Sequence, residues 1–377
     1  MCFSTQSGVS IILRILCTLR FAIILGQILW LGGCANLSYY AQAVDGHMDI
    51  LRRTQPISSV IADPNTDQNL KRILARVVIL REFASRELKL PDNQSYTSYA
   101  DLKRSYAVWN VFASPELSIE LKKSCFVKAG CVSYRGFFSQ AEAERYAEEL
   151  KKEGYDVYVG GIRAYSTLGW FNDPVLNTFI GYSEIELARL IFHELAHQVV
   201  YVPGDSVFNE SFATAVEQEG IGRWFQRSGS VSEQTVFNAK QEMESIFTEL
   251  VLNHRERLQE LFISDISDTE KRTAKVRIFD NLREEFSQLK AVRSEFSRYD
   301  RWFKKPLNNA RLATISIYTQ LLPAFQALIA QQNGDIDQFF EVVKKIGALP
   351  QDERNSLLQA AVEGGVSIDT GMLSNVD

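Results

Sequence analysis

Apolar positions recur at three- and four-residue intervals over much of this chain, the spacing of helices that bury one face. Leu70, Ile73, Val77, Leu80 and Phe83 mark a helix over 67–87. Ala43, Met48 and Leu51 mark another over 35–55, stopping near Pro56. The second half carries long charged segments of the same period near 233–262, 267–298, 306–331 and 335–346. Between the halves the pattern changes: residues 91–138 are rich in Tyr, Ser, Pro and Gly and read as loops and short strands. Ser139 and Glu142 form a capping box for a helix that Gly154 ends. Residues 155–159 alternate as a strand, with 162–165 as a partner across Gly160 and Gly161. The expected fold is α+β and predominantly helical, with a small antiparallel sheet. No linker or repeat divides it, so residues 34–377 are expected to form a single domain.

The first 33 residues contain no Asp or Glu. Arg14 and Arg20 precede an apolar run from Phe21 to Leu31, which ends in Gly32, Gly33, Cys34 and Ala35. A run of that length describes a secretory signal; a spanning helix needs ~20 apolar residues. Cysteine after two glycines resembles a bacterial lipobox, which implies lipidation of Cys34 and a membrane tether. Ala35 then implies sorting to the outer membrane, on its periplasmic side. An uncleaved anchor with a buried Cys34 is the alternative. Loss of residues 1–33 takes the net charge from −5 to −7, which argues against a nucleic-acid partner. In an oxidising compartment Cys125 and Cys131 are spaced to close a small disulfide loop; two buried thiols are the alternative.

Only four histidines occur, and two of them stand in His193-Glu194-Leu195-Ala196-His197. Ser183 and Glu186 open a helix that leads into this segment. Residues four apart share a helix face, so both imidazoles can reach one zinc ion, and Glu194 sits beside them as base for a water. A third ligand is required, with one position left open. Val202, Pro203, Gly204 and Asp205 make a turn before a second helix. If the two helices are antiparallel, Glu210 comes level with His197. Glu217, on the same face seven residues later, is the rival ligand, or an acceptor that orients an imidazole N–H.

His193-Glu194-Leu195-Ala196-His197, followed by Asn209-Glu210 with Ala213, resembles the gluzincin pattern, with a shorter gap than its common members. The similarity extends to a family of bacterial aminopeptidases. It runs through Tyr40-Ala41-Gln42-Ala43 with Gly46, residues 90–93 and 98–102, Cys125 to Gly136, residues 164–171, Asp173-Pro174 and residues 307–312. This resemblance implies a zincin-like metal helix and a peptide substrate. It also implies a mechanism in which zinc polarises water and carbonyl while Glu194 moves the proton.

Tyr318 is the chosen candidate for stabilising the oxyanion, with Arg311 and Tyr165 as others. Residues 162–168 are a candidate edge strand for substrate backbone, and Glu217 and Asp173 are candidates for a substrate amine. A different zinc hydrolase, a zinc endopeptidase and a non-catalytic metal- or protein-binding lipoprotein stand as alternatives. Oligomeric state is not written in the pattern.

Overall fold

The computed structural model describes residues 38–126 and 130–364. The segment expected to be a secretory signal and Cys34 lie outside the described residues. The chain divides into two compact units, 1–52 and 53–377. Of the first, residues 38–52 are described and are helical, as part of α1 (38–53). The larger unit is predominantly helical with three small sheets, an α+β architecture.

This unit opens with β1 (Thr54–Pro56), α2 (Ile57–Ala62) and α3 (Gln68–Glu87). Asp67 caps α3 by accepting from the Asn69 and Leu70 amides. Leu74, Val77, Leu80, Phe83 and Ala84 form its buried stripe. β1 pairs antiparallel with β2 (Ser98–Ala100), which pairs in parallel with β8 (Val175–Leu176), so the sheets are not all antiparallel.

The central sheet is antiparallel throughout. Its middle strand, β3 (Val108–Pro115), lies between β6 (Arg135–Phe137) and β7 (Tyr155–Ile162). One face, with Trp109 and Phe137, takes α4 (Gln140–Lys152), through Phe137 against Tyr146. The other presents Phe112 and Tyr158 to the helix that begins at Asn309. The expected hairpin across Gly160 and Gly161 does not form. β7 runs straight through both glycines, and its partner is β3, from Val108 opposite Ile162 to Pro115 opposite Tyr155. A Cβ at Gly161 would stand 2.6 Å from the Tyr106 ring, so the glycine serves close ring packing and not a turn.

β4 (Ser124–Phe126) and β5 (Gly130–Val132) form a two-stranded ribbon bridged by Cys125 and Cys131, whose sulfurs lie 1.99 Å apart.

After β8 come α5 (Glu184–Ala196), α6 (Ser206–Ser228), α7 (Val231–Ile263), α8 (Asp268–Val292), α10 (Asn309–Thr319) and, beyond it, α11 (Leu322–Gln331), with short α9 (Asp300–Lys304) between α8 and α10. α12 (Ile336–Ala348) and α13 (Gln351–Glu363) close the described chain. α7 and α8 are a long hairpin whose core is Phe247, Val251, Leu258, Phe279, Leu282 and Phe286. The expected helix over 267–298 breaks at Arg293, which is extended (φ −128°, ψ 90°), and continues as a 3-10 turn. α10 is the helix laid on the Phe112 face of the sheet; it also packs along α6 and thereby joins the sheet to the helical layer.

Candidate metal centre

The site is carried by α5 and α6. Ser183 and Glu186 cap α5 reciprocally, and Leu187, Ala188, Ile191, Phe192, Leu195 and Ala196 turn into the core. That stripe leaves His193 on the opposite side, facing α6. The helix ends at Ala196, before the Val202–Asp205 turn. His197 nonetheless keeps helical angles (φ −59°, ψ −22°), and its N–H reaches the His193 carbonyl at 3.3 Å. The two imidazoles therefore meet edge to face one turn apart, with ring centres 4.8 Å from each other.

The connection to α6 is closed by side chains. Asn209 Oδ1 accepts from the Val202 N–H at 2.7 Å, and its Nδ2 donates to the Val202 carbonyl at 2.8 Å. Asp205 caps α6 through the Phe208 N–H at 3.0 Å and pairs with Arg354 at 2.6 Å, both side chains being buried. Gly204 turns with φ +87°. Gly130 of the disulfide ribbon seats against this turn; a Cβ there would meet Gly204 N at 2.9 Å. Gly220 lets α6 approach α5, since its Cβ would stand 2.7 Å from the Phe192 ring.

The helices run antiparallel, and the structure brings His193, His197 and Glu210 together. His193 Nε2 lies 3.1 Å from Glu210 Oε2, His197 Nε2 lies 3.7 Å from the same oxygen, and the two nitrogens are 3.2 Å apart. Three atoms that are all electron-pair donors converge here and suit one shared cation. A tetrahedral site with bonds of ~2.0–2.1 Å separates its ligand atoms by ~3.3–3.4 Å, and the observed spacings bracket that value. The residues present thus fit a zinc ion.

Glu217 lies on the other side of His193. Its Oε2 accepts from Nδ1 at 3.1 Å, while its Oε1 accepts from Arg189 Nε at 2.9 Å and Nη2 at 2.7 Å. It therefore orients the imidazole and is not grouped with the three converging atoms. Burial works to raise the pKa of Glu217 and Glu210 and to lower that of His193. The hydrogen bonds and charges among them win, holding both carboxyls below the ordinary range and His193 well above 6.5. Arg189 was missed in the sequence, although it stands four residues before His193 on the same face. His197 Nδ1 is buried with no hydrogen-bond partner.

Glu194 is half-buried beside the three. Burial, opposed by the charges of His193 and His197, raises its carboxyl pKa. Ser166, which sequence pattern placed only in a candidate strand, is nearby, with its hydroxyl 3.4 Å from Asp173 Oδ2. Segment 163–168 is not a strand: Arg163 leaves β7 and stacks over the Tyr106 and Tyr182 rings. Tyr318, on α10, has its ring centre 6.4 Å from that of His193. The residue is 45% exposed, yet its hydroxyl end lies in the field of Glu210, Glu194 and Glu217. The charge of Glu210, then burial, keeps this phenol protonated well above its usual range.

The other candidates lie elsewhere or are engaged. Arg311 is buried, donates to the Trp302, Lys305 and Pro306 carbonyls and packs over Trp302. Tyr165 packs on Phe138. Asp173 is 1% exposed and bonded to Thr167.

A family model described as "Putative aminopeptidase" matches residues 38–358. No curated protein and no solved structure gives a significant match.

Proposed function

Since the chain belongs to this aminopeptidase family, we propose that it is a zinc-dependent peptidase of the gluzincin type, with His193, His197 and Glu210 holding the ion. The observation that carries this reading is the convergence of two imidazole nitrogens and one carboxylate oxygen within 3.7 Å, with Glu194 beside them. Zinc bound there supplies Lewis-acid polarisation of a water and of the scissile carbonyl.

The chain's own residues handle protons and charge. Glu194 takes the water's proton and delivers it to the leaving amine; its raised pKa brings it nearer to neutral pH, where such a shuttle works best. Tyr318, protonated throughout the working range, donates to the carbonyl oxygen as charge develops on it. Glu217, anchored by Arg189, keeps the His193 proton on Nδ1 and leaves Nε2 as the ligand nitrogen. On this reading the domain is exported and tethered through Cys34, on the periplasmic side of the outer membrane.

A second reading, a zinc endopeptidase, is favoured by one specific observation. The two acids considered for a substrate amine are both engaged: Glu217 by Arg189 and His193, Asp173 by Ser166 and Thr167. Metal analysis of the purified chain and of Glu194→Gln tests the main reading. About one zinc is expected in each, with peptide cleavage only by the unmodified chain. Cleavage of N-terminally blocked peptides separates the two readings, because an aminopeptidase needs the free amine. A chain that binds no zinc, or a fully active Glu194→Gln, refutes the proposal.

A further inference from the structure

The two imidazoles of the cluster are oriented by different means. Glu217 accepts from Nδ1 of His193 and so turns that ring. His197 has no such partner: its Nδ1 is buried, and no protein group among the described residues bonds it. The direction of its ring therefore comes from its backbone and from packing. That backbone lies at a helix end. α5 stops at Ala196, and the His197 N–H reaches the His193 carbonyl only at 3.3 Å. The next two amides bond three residues back, Gln198 to Leu195 at 3.1 Å and Val199 to Ala196 at 2.9 Å. A helix end that tightens in this way frays unless tertiary contacts hold it.

Gln198, the residue after the ligand, supplies the hold. Asn93 Nδ2 donates to its Oε1 at 2.7 Å, and its own Nε2 donates to Ser95 Oγ at 3.3 Å. On another side stands Gly169, where a Cβ would lie 3.4 Å from the Gln198 amide carbon. The amide is gripped between residues 93–95 and that glycine. The grip is as firm as the loop that carries it, and the loop is built around a buried cation. Arg81, on α3, is 5% exposed. Its Nε donates to the Ser95 carbonyl at 2.8 Å, and its Nη2 donates to the Asn93 carbonyl at 3.0 Å and to that of Pro91. A buried guanidinium needs these acceptors, so moving the loop would strand the charge. Asn93 Oδ1 accepts from the Ser95 N–H at 3.0 Å, which aims Nδ2 of the same amide at Gln198. Tyr96 closes the loop in the left-handed region (φ 63°), which a bulky residue keeps only where its surroundings hold it. Its N–H donates to the Asp173 carbonyl at 2.6 Å.

We propose that Asn93, set in place by Arg81, is the positioning residue for His197. It acts through Gln198, holding the end of α5 so that His197 Nε2 stays with His193 Nε2 and Glu210 Oε2. The inference rests on His197 being a ligand of the proposed zinc site. The two imidazoles are then secured independently, His193 through its ring nitrogen by Glu217 and Arg189, His197 through its backbone by Asn93 and Arg81.

The test is zinc competition against chromogenic chelators of graded affinity, on the full chain, with circular dichroism as the check on folding. Asn93→Ala opens the contact from the loop. Gln198→Leu opens it from the helix and leaves residues 91–95 unaltered, so it decides the matter if Asn93→Ala fails to fold. Each is expected to weaken zinc binding about 3–10-fold, the worth of one hydrogen bond passed on to the ligand. The double variant is expected to lose no more than the larger single loss, because both substitutions open one contact. In a His197→Ala chain, which holds zinc through its remaining donors, neither is expected to change the affinity by more than about two-fold. A general loosening of the fold would weaken binding in that chain as well, so this arm separates placement from stability. Unchanged affinity in either folded variant overturns the proposal. So does an additive double variant, or a loss that persists in the His197→Ala chain. The site assignment fails separately: it falls if the unmodified chain binds no zinc, or if His197→Ala binds it as tightly as the unmodified chain. If both of those arms come out as expected while Asn93→Ala and Gln198→Leu bind normally, only the placing role falls.

Discussion

Replacing Glu217 with glutamine removes one charge from the site without changing its shape, and the two neighbours that donate to this side chain decide the consequence. His193 Nδ1 donates to one oxygen at 3.1 Å, and Arg189 donates to the other at 2.7 and 2.9 Å. An amide offers only one acceptor oxygen. If that oxygen meets Arg189, the NH2 group faces Nδ1, and the imidazole must carry its proton on Nε2, the nitrogen that faces Glu210. If it meets His193, the NH2 group faces the guanidinium. The first orientation puts a proton on the nitrogen needed as ligand, and the second sets two donors against each other; either one loses a charge-assisted bond. Such bonds are worth about 1.5–3 kcal/mol. At about 1.4 kcal/mol per tenfold, zinc binding is expected to weaken by about 10–100-fold.

The assay is competition for zinc against a chromogenic chelator, with circular dichroism as the check on folding. Arg189→Met and the double variant complete a cycle, for which a coupling energy of about 0.5–3 kcal/mol is expected. A folded Glu217→Gln with unchanged zinc affinity refutes the argument. Strict additivity of the two substitutions refutes the part that runs through Arg189.

Three further outcomes are expected from the same geometry. Glu210→Ala removes a converging oxygen and should lower zinc affinity more than Glu217→Gln does, read by the same competition; equal losses would mean that Glu210 is no ligand. In the metal-free chain His193 has its pKa raised above 6.5 by Glu210 and Glu217. That stability is fully present below about pH 6.5 and is lost as pH rises through the folded value, so the urea midpoint should fall on the alkaline side, and His193→Ala should flatten the fall. Arg354→Met leaves Asp205 buried without its cation, which should cost about 3–5 kcal/mol in urea unfolding, as for other broken buried pairs. A loss under about 1 kcal/mol would show that the α6 cap alone satisfies Asp205.

How much of this was legible from residues alone depended on the range of the interaction. The helix carrying His193 and His197 was readable because a capping box, a buried stripe and a four-residue spacing are all local. Glu210 required one tertiary assumption, that the two helices are antiparallel, and the Val202–Gly204 turn supplied the reason for it. Glu217 was read as either ligand or orienting acceptor, since spacing on one helix face cannot say which imidazole nitrogen it meets. The β7 pairing was misread because two glycines in a strand look like a turn; the Tyr106 ring that needs the missing Cβ is 55 residues away in sequence.

The arrangement also explains why the short gap between His197 and Glu210 suffices. Twelve residues lie between them, and because α5 ends right before His197 and α6 begins at Ser206, residues 198–205 form the connection outside helix. A loop that short sets the level of Glu210 only if its own geometry is fixed. Asn209, one residue before Glu210, fixes it from inside by bonding both backbone polar groups of Val202. Asp205 and Arg354 fix it from the C-terminal helix, and Gly130 of the disulfide ribbon abuts it from the sheet side. Each contact joins protein to protein and none requires ligation. The height of the third donor is therefore set by the fold, and the energy of metal binding is not drawn on to close the hairpin. A longer loop would have needed the ion itself to hold Glu210 in register, at the cost of the ordering entropy that these contacts have already met.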